Sequence, residues 1–315
     1  MKKYFSMLIM LAAAVIWGFG FAFQKAAASI SPFTLTAIRS YLAFAVLIPS
    51  AALFDKLSGN GRHIISRRGI DFKKTELIGG AVCGAVLFIA ANLQQMGIGG
   101  GTDAGKASFI TALYVVIVPV LGLFLGRRAP LQVWISVICA VAGFYLLCMD
   151  GGFSIAFSDL LLLVCASVYA VQIIAIDKSM SYSGTNGVRL SCIQFLVCGT
   201  LSLICALIFE RGQELSTVTE FIPELLFLGI LSSGAAYTLQ ILAQQNTPPA
   251  VASILLSLES VFGAIAGSLV LGEKMRLTEY IGCGIIFAAV IFAQLEFKGG
   301  QKAAGGKPTK TESHK

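Results

Sequence analysis

Ten stretches of this chain carry almost no charge, and each is close to the length at which a helix crosses a bilayer. They lie at about 5 to 24, 33 to 54, 77 to 98, 107 to 126, 131 to 149, 160 to 176, 190 to 209, 225 to 243, 250 to 272 and 280 to 295. A hydrocarbon core of about 30 Å takes about 20 helical residues to cross. Backbone in lipid must satisfy its own hydrogen bonds, which leaves helices and closed barrels. The runs lack the period-two alternation of barrel strands, so helices are the remaining solution. Composition agrees, with 57% hydrophobic and 12% charged residues and a mean hydropathy of +0.84, where soluble domains carry about 25% charged residues. The fold class is all-α integral membrane, with ten transmembrane helices.

Charge sets the expected orientation. All but six of the 23 Lys and Arg fall on the side of the N-terminus if the helices alternate: Lys2 and Lys3, the loop from 55 to 74, Arg127, Arg128, Lys178, Arg189 and the tail. The positive-inside bias then places both termini in the cytoplasm. The exceptions are Lys25, Lys106, Arg211, Lys274 and Arg276 outside, and Arg39 within the second span. The net charge of +7 is mostly this asymmetry, so no nucleic-acid partner follows from it. The tail, 298 to 315, reads as a disordered basic segment with weak attraction to anionic lipid. The first span mimics a secretion signal, but its apolar run is too long for a signal core and it is expected to be retained.

Several soluble-protein chemistries are absent from the pattern. The eight cysteines fall inside the spans without a CxxC, and both histidines, His63 and His314, lie in a loop and the tail. No metal and no cofactor is expected, and the thiols read as small packing residues. The stretch GGTDAGKA, 100 to 107, fits GxxxxGK, but Ala107 stands where a phosphate loop has Ser or Thr and no strand precedes it. It reads as a tight turn.

The chain matches itself. Trp17 aligns with Tyr169, Arg39 with Arg189, Glu76 with Glu224, and LFLGRRAPL (123 to 131) with LVLGEKMRL (269 to 277), at separations of 152, 150, 148 and 146. A lag that shrinks steadily is what a duplicated unit with shortened loops gives. A unit of five spans is odd, so the second copy enters the membrane upside down. The expected domains are 1–149, helices one to five, and 150–297, helices six to ten, as two inverted five-helix repeats.

These segments also carry a resemblance. IWGFGFAFQKAA (16 to 27), NLQQMGIGGGTDAGKASFITALYVVIVPVLGLFLGRR (92 to 128) and AAYTLQILAQQNTPPAVASILLSLESVFGAIAGSLVLGE (235 to 273) resemble EamA-domain proteins of the drug/metabolite transporter superfamily. The resemblance implies ten helices in two EamA repeats, cytoplasmic termini, a bacterial plasma-membrane location and export or uptake of small molecules. The family often has proline after the helix-nine Glu, whereas Ser260 stands here, which implies a softened kink or none.

Depth, counted at 1.5 Å per residue, places Trp17, Tyr114, Tyr169 and Glu259 near the midplane. Tyr41, Gln172, Gln194, Tyr237 and Gln240 lie a little further out. They are candidates for a polar and aromatic cavity, or for bonds between helices. Glu259 shares a face with Gly263 and Gly267, a GxxxG spacing that turns it toward protein. A central acidic residue costs about 2.5 to 3.5 kcal/mol as an anion. It therefore reads as a latch, a proton-coupling group, or a ligand for a substrate amine. Arg39 either snorkels to the outer surface, binds a substrate carboxylate or pairs with an acid. Arg189 reads as an anchor at the inner face.

The expected function is secondary-active transport of a small metabolite, amino acid or drug-like compound by alternating access, with export preferred and proton coupling favoured. The expected partners are that solute, the lipid bilayer and protons, and the sequence leaves oligomeric state open. The alternative is a polytopic membrane enzyme acting on lipid-linked substrates. It would need clustered acids or histidines, and the outer acids Asp103, Asp150, Asp159, Glu210, Glu214, Glu220 and Glu224 are scattered.

Overall fold

The structure, a computed structural model, describes residues 2–58, 65–66, 69–70, 72–127, 129–148, 156–272 and 276–294. The expectations for the tail, for the repeat boundary at 149 and 150, and for much of the loop from 55 to 74 lie outside these residues. The described chain is helical apart from an antiparallel pair of two-residue strands, Ile65–Ser66 with Gly69–Ile70.

The helices are α1 (Lys2–Ala26), α2 (Pro32–Ser58), α3 (Lys74–Gly99), α4 (Ala104–Ala112), α5 (Tyr114–Phe124), α6 (Leu131–Cys148), α7 (Phe157–Met180) and α8 (Gly187–Phe209). Then come two short pieces, α9 (Leu215–Glu220) and α10 (Ile222–Leu226), a π-helix over Phe227–Ala236, and α11 (Tyr237–Gln244), α12 (Pro249–Leu256), α13 (Glu259–Leu271) and α14 (Leu277–Gln294). Among the described residues, eight helical spans are long and apolar enough to cross a membrane, with α4 and α5 forming one, α10 through α11 another and α12 with α13 a third. Leu131–Gly143 and Tyr280–Ala293 are shorter apolar helices. The chain is thus a multi-pass integral membrane protein. Its outer surface suits lipid, with Phe124, Ile138 and Leu207 exposed.

Association between helices in lipid relies on close packing, since lipid tails are as apolar as the side chains. α1 meets α13 where Gly18 faces Phe262 and Gly263. A Cβ on Gly18 would sit 2.3 Å from Phe262 Cβ and 2.7 Å from its carbonyl carbon. Gly263 in turn lies against Ser108 of α4, where a Cβ would fall 2.4 Å from the hydroxyl. α13 is therefore pinched between α1 and α4, which turns Glu259 inward. α2 packs on α8, α3 on α7 and α8, and α6 on α14.

Three spans depart from a regular α-helix, and all three border the centre. Leu113 (φ −60°, ψ −11°) separates α4 from α5, and Ser257 and Leu258 (φ −61°, ψ −14° and φ −59°, ψ −15°) separate α12 from α13. These are 3₁₀ dihedrals, with bonds three residues apart at Leu113 to Ile110 and Ser260 to Ser257. In the second break the cause is local. The hydroxyls of Ser253, Ser257 and Ser260 donate to the carbonyls of Ala250, Ile254 and Ser257, which bends a helix. The softened kink implied by the absence of proline is therefore corrected: serines interrupt the helix in its place. Both spans also end alike, on left-handed Gly126 (φ 74°) and Gly272 (φ 72°).

Candidate functional site

Each break delivers a polar side chain to the same place. Tyr114 is the first residue of α5 and Glu259 the first of α13, and both line one central cavity. Glu259 is 4% exposed, and its Oε1 has no hydrogen-bond partner. Tyr114 and Glu259 thus each follow directly on their break.

The same cavity also carries a cation. Arg39 of α2 is 4% exposed, so the outward snorkelling expected for it does not occur. Its Nε donates to Ser233 Oγ at 2.9 Å, Nη1 to Gln24 Oε1 at 3.2 Å and Nη2 to Ser232 Oγ at 3.5 Å. Ser232 and Ser233 belong to the π-helix, whose carbonyl at Ser232 also accepts from Trp17 Nε1 at 3.1 Å. Among the described residues no carboxylate reaches Arg39, although Glu259 lines the same cavity. Arg189, expected as an anchor at the inner face, is instead enclosed at 2% exposure.

Aromatic and amide groups line the rest of the cavity. Trp17 and Tyr237 stand with ring centroids 4.6 Å apart. Tyr237 donates to Tyr169 Oη at 3.1 Å, Tyr169 donates to Gln94 Oε1 at 3.4 Å, and Gln94 Nε2 donates to Thr111 Oγ1 at 3.4 Å. Gln172 and Gln240 also line the cavity, and the carbonyl oxygen of each lacks a partner. The empty space at the cavity is about 460 Å³.

The sequence candidates divide accordingly. Trp17, Arg39, Tyr114, Tyr169, Gln172, Tyr237, Gln240 and Glu259 meet around the cavity. Tyr41 and Gln194 do not line it: Tyr41 shares a hydrogen bond with Thr200 at 3.2 Å between α2 and α8, and Gln194 stands behind Gln172, accepting from its Nε2 at 3.0 Å. Depth gives a residue's height in the membrane but not its bearing, which is why both were grouped with the cavity. Gln24, Gln94, Thr111 and Ser232 line it without having been singled out. Gln24 lies seven residues after Trp17, two turns along the same face, and that spacing could have found it.

Comparison with known proteins agrees with this architecture. The EamA-like transporter family matches residues 4–149 and again 156–294. An uncharacterized transporter of Archaeoglobus fulgidus is 29% identical over 296 residues, 93% of this chain and 87% of that one. The threonine/homoserine exporter RhtA of Escherichia coli K12 is 29% identical over 177 residues, and the match spans about half of each protein, 53% and 55%. A crystal structure of a protein at 18% identity superposes with a TM-score of 0.72 over 93% of this chain and 97% of that one, a likeness of fold. With two family matches that together cover nearly the whole chain, the protein belongs to the EamA-like transporter family of the drug/metabolite transporter superfamily.

Proposed function

We propose that the chain is a secondary-active transporter that moves a small polar metabolite, amino acid or drug-like compound by alternating access, in the export direction, in exchange for protons. The observation that carries this reading is the central cavity itself, a polar and aromatic space lined from two broken helices. Discontinuous helices around a midplane site are a recurring transporter device, because a short backbone segment can move without unwinding a whole span. Glu259 is the group in this cavity able to carry the proton.

An inverted repeat of ten spans accounts for the pairing of helices. Counting α4 with α5, α10 through α11 and α12 with α13 as single spans, the first packs on the ninth as the sixth packs on the fourth, and the third packs on the sixth as the first packs on the eighth. The matched breaks and the matched glycine ends at 126 and 272 support the same symmetry. The domains are then 1–149 and 150–297, in a bacterial plasma membrane, with both termini cytoplasmic by the charge asymmetry. The name of RhtA as an exporter supports the direction.

Purified protein in liposomes, tested with a broad panel of amino acids, nucleosides, amines and toxic cations under an imposed pH gradient, checks the proposal. Gradient-dependent movement of one class, abolished by collapsing the gradient, is the expected result. If every solute leaks at the rate of empty vesicles, the transporter reading fails.

A further inference from the structure

A second cavity shares no lining residue with the central one. It is a groove with about 970 Å³ of empty space, between the start of α3 and the end of α7. The buried pair Gly79 and Ser179 forms its floor, where a Cβ on the glycine would fall 2.9 Å from Ser179 Oγ. Polarity changes along the groove. Lys74 and Thr75 stand in the first turn of α3 and Lys178 in the last turn of α7, so charge and hydroxyl gather at one end of the two spans. Ile78 and Val82 follow Lys74 at four-residue spacing on the same helix face, about 6 and 12 Å further along. Both are open to the surroundings, at 55% and 50% exposure.

Neither ammonium is spent within the protein. Among the described residues, Lys74 Nζ and Lys178 Nζ make no hydrogen bond or ion pair, whereas the charges beside them are engaged. Lys73 Nζ donates to the carbonyl of Gly184 at 2.7 Å, Glu76 accepts from the backbone N–H groups of Lys73 and Asn186 at 2.8 and 3.2 Å, and Asp177 pairs with Arg127. The acids near the groove are therefore occupied, and its rim keeps two free positive charges. The Thr75 hydroxyl accepts from Thr185 at 3.5 Å and still has its own hydrogen to give. Tyr182, also on the groove, is half exposed and adds a ring of the kind that settles at a membrane surface.

An apolar trough beside two free cations selects its occupant by chemistry. A soluble anion would use the lysines and leave Ile78 and Val82 bare. A zwitterionic phospholipid would bring a cation of its own against Lys74 and Lys178. We propose that the groove between α3 and α7 binds one anionic phospholipid, its phosphate on Lys74 and Lys178 with the Thr75 hydroxyl, and the start of an acyl chain along Ile78, Val82 and Ala175. Basic pockets between spans at a membrane surface recognise such headgroups. The same two helices carry Gln94, Tyr169 and Gln172 to the central cavity, so the bound lipid braces two of the spans that line it.

The lipid site does not depend on what the central cavity transports. It is tested on the full chain purified in detergent and titrated with phosphatidylglycerol, phosphatidylcholine or glycerol phosphate, with bound lipid counted by native mass spectrometry and Tm followed in parallel. One phosphatidylglycerol per chain is expected to be held at least about tenfold more tightly than phosphatidylcholine, roughly 1.4 kcal/mol, and to raise Tm. Glycerol phosphate carries the charge without the chains and is expected to do neither. The double variant Lys74→Gln with Lys178→Gln is expected to cut the preference to less than about twofold, whereas Arg211→Gln, which removes an exposed charge outside the groove, keeps it. Should the double variant fail to fold, each single lysine variant is expected to lose about threefold of the preference. Equal retention of the two phospholipids, a preference that survives the lysine variants or falls as far in Arg211→Gln, or stabilisation by glycerol phosphate as strong as by phosphatidylglycerol overturns the site.

Discussion

Tyr237 donates its hydroxyl hydrogen to Tyr169 Oη across 3.1 Å, and through it α11 is joined to α7, then to α3 by Gln94 and to α4 by Thr111. Four spans thus share one line of hydrogen bonds around the cavity. The order of the donors makes the two tyrosines unequal. Tyr237→Phe removes the first donor and leaves Tyr169 bonded to Gln94. Tyr169→Phe strands both Tyr237 and Gln94 Oε1. Each lost bond costs about 1 kcal/mol and each stranded buried group about 1 to 3 kcal/mol. In detergent, Tyr169→Phe is expected to melt at a lower temperature than Tyr237→Phe, and the reverse order would mean that the line does not run in this direction.

The contact of Gly18 with α13 makes a sharper steric prediction. A methyl group there meets Phe262 Cβ at 2.3 Å and backbone at 2.7 Å, while at Gly20, one turn-face away on the same helix, the nearest atom is Ser232 Oγ at 3.4 Å. Gly18→Ala is expected to destabilise by about 1 to 3 kcal/mol or to reduce the folded yield. Gly20→Ala is expected to be neutral or slightly stabilising, because alanine is favoured over glycine in a helix by up to about 1 kcal/mol. Fluorescence-detected size exclusion after heating reads both, and equal stability of the two variants would mean that α1 and α13 do not pack as described.

The helical spans were legible in the sequence because lipid imposes length and hydropathy together, and the glycine stripe at Gly263 pointed correctly to the close approach that buries Glu259. The breaks were not legible, since Ser253, Ser257 and Ser260 interrupt a helix only by choosing their own chain's carbonyls over a neighbour. The π-helix explains the omission of Ser232. Ser232 and Tyr237, five residues apart, both border the cavity, and hydrogen bonds in a π-helix run over five residues, which draws such a pair together. A depth count built on the α-helical rise and turn separates them. One of the three readings of Arg39 took it outward to the surface, because nothing in its own helix announces the two serines, almost two hundred positions away, that hold it.

Asp159 shows how an acid that looks isolated in sequence becomes a junction. It accepts from Lys106 Nζ at 2.7 Å, from Thr102 Oγ1 at 3.2 Å and from the backbone N–H of Ala156 at 3.0 Å, which closes the first turn of α7. Its side chain is 7% exposed whereas that of Lys106 is 40% exposed, so the ion pair itself is worth at most about 1 kcal/mol. Asp159→Ala is therefore expected to cost more than Lys106→Ala, because it also removes the helix cap, worth about 0.5 to 2 kcal/mol. Urea or thermal denaturation of the pair at low and high salt checks this. Equal losses that vanish together in high salt would show the ion pair to be the whole effect.

Glu210 closes another helix from a distance. Pro32 opens α2, and the next backbone donors, Phe33 N and Thr34 N, go to Glu210 Oε1 at 2.9 Å and Oε2 at 2.7 Å, while Ser31 N goes to Gln213 Oε1 at 2.7 Å. The residues just past the end of α8 thus bond the free N–H groups at the N-terminus of α2. A carboxylate can take both N–H groups and also the Thr34 hydroxyl, which donates at 2.8 Å. Glu210→Gln leaves one acceptor oxygen, and Glu210→Ala leaves none. Stability is expected to fall in the order Glu, Gln, Ala, with the full step about 1 to 2 kcal/mol, and hydrogen exchange at Phe33 and Thr34 is expected to rise in the same order. Exchange at these two amides that is unchanged in the alanine variant would show that α2 does not depend on this cap.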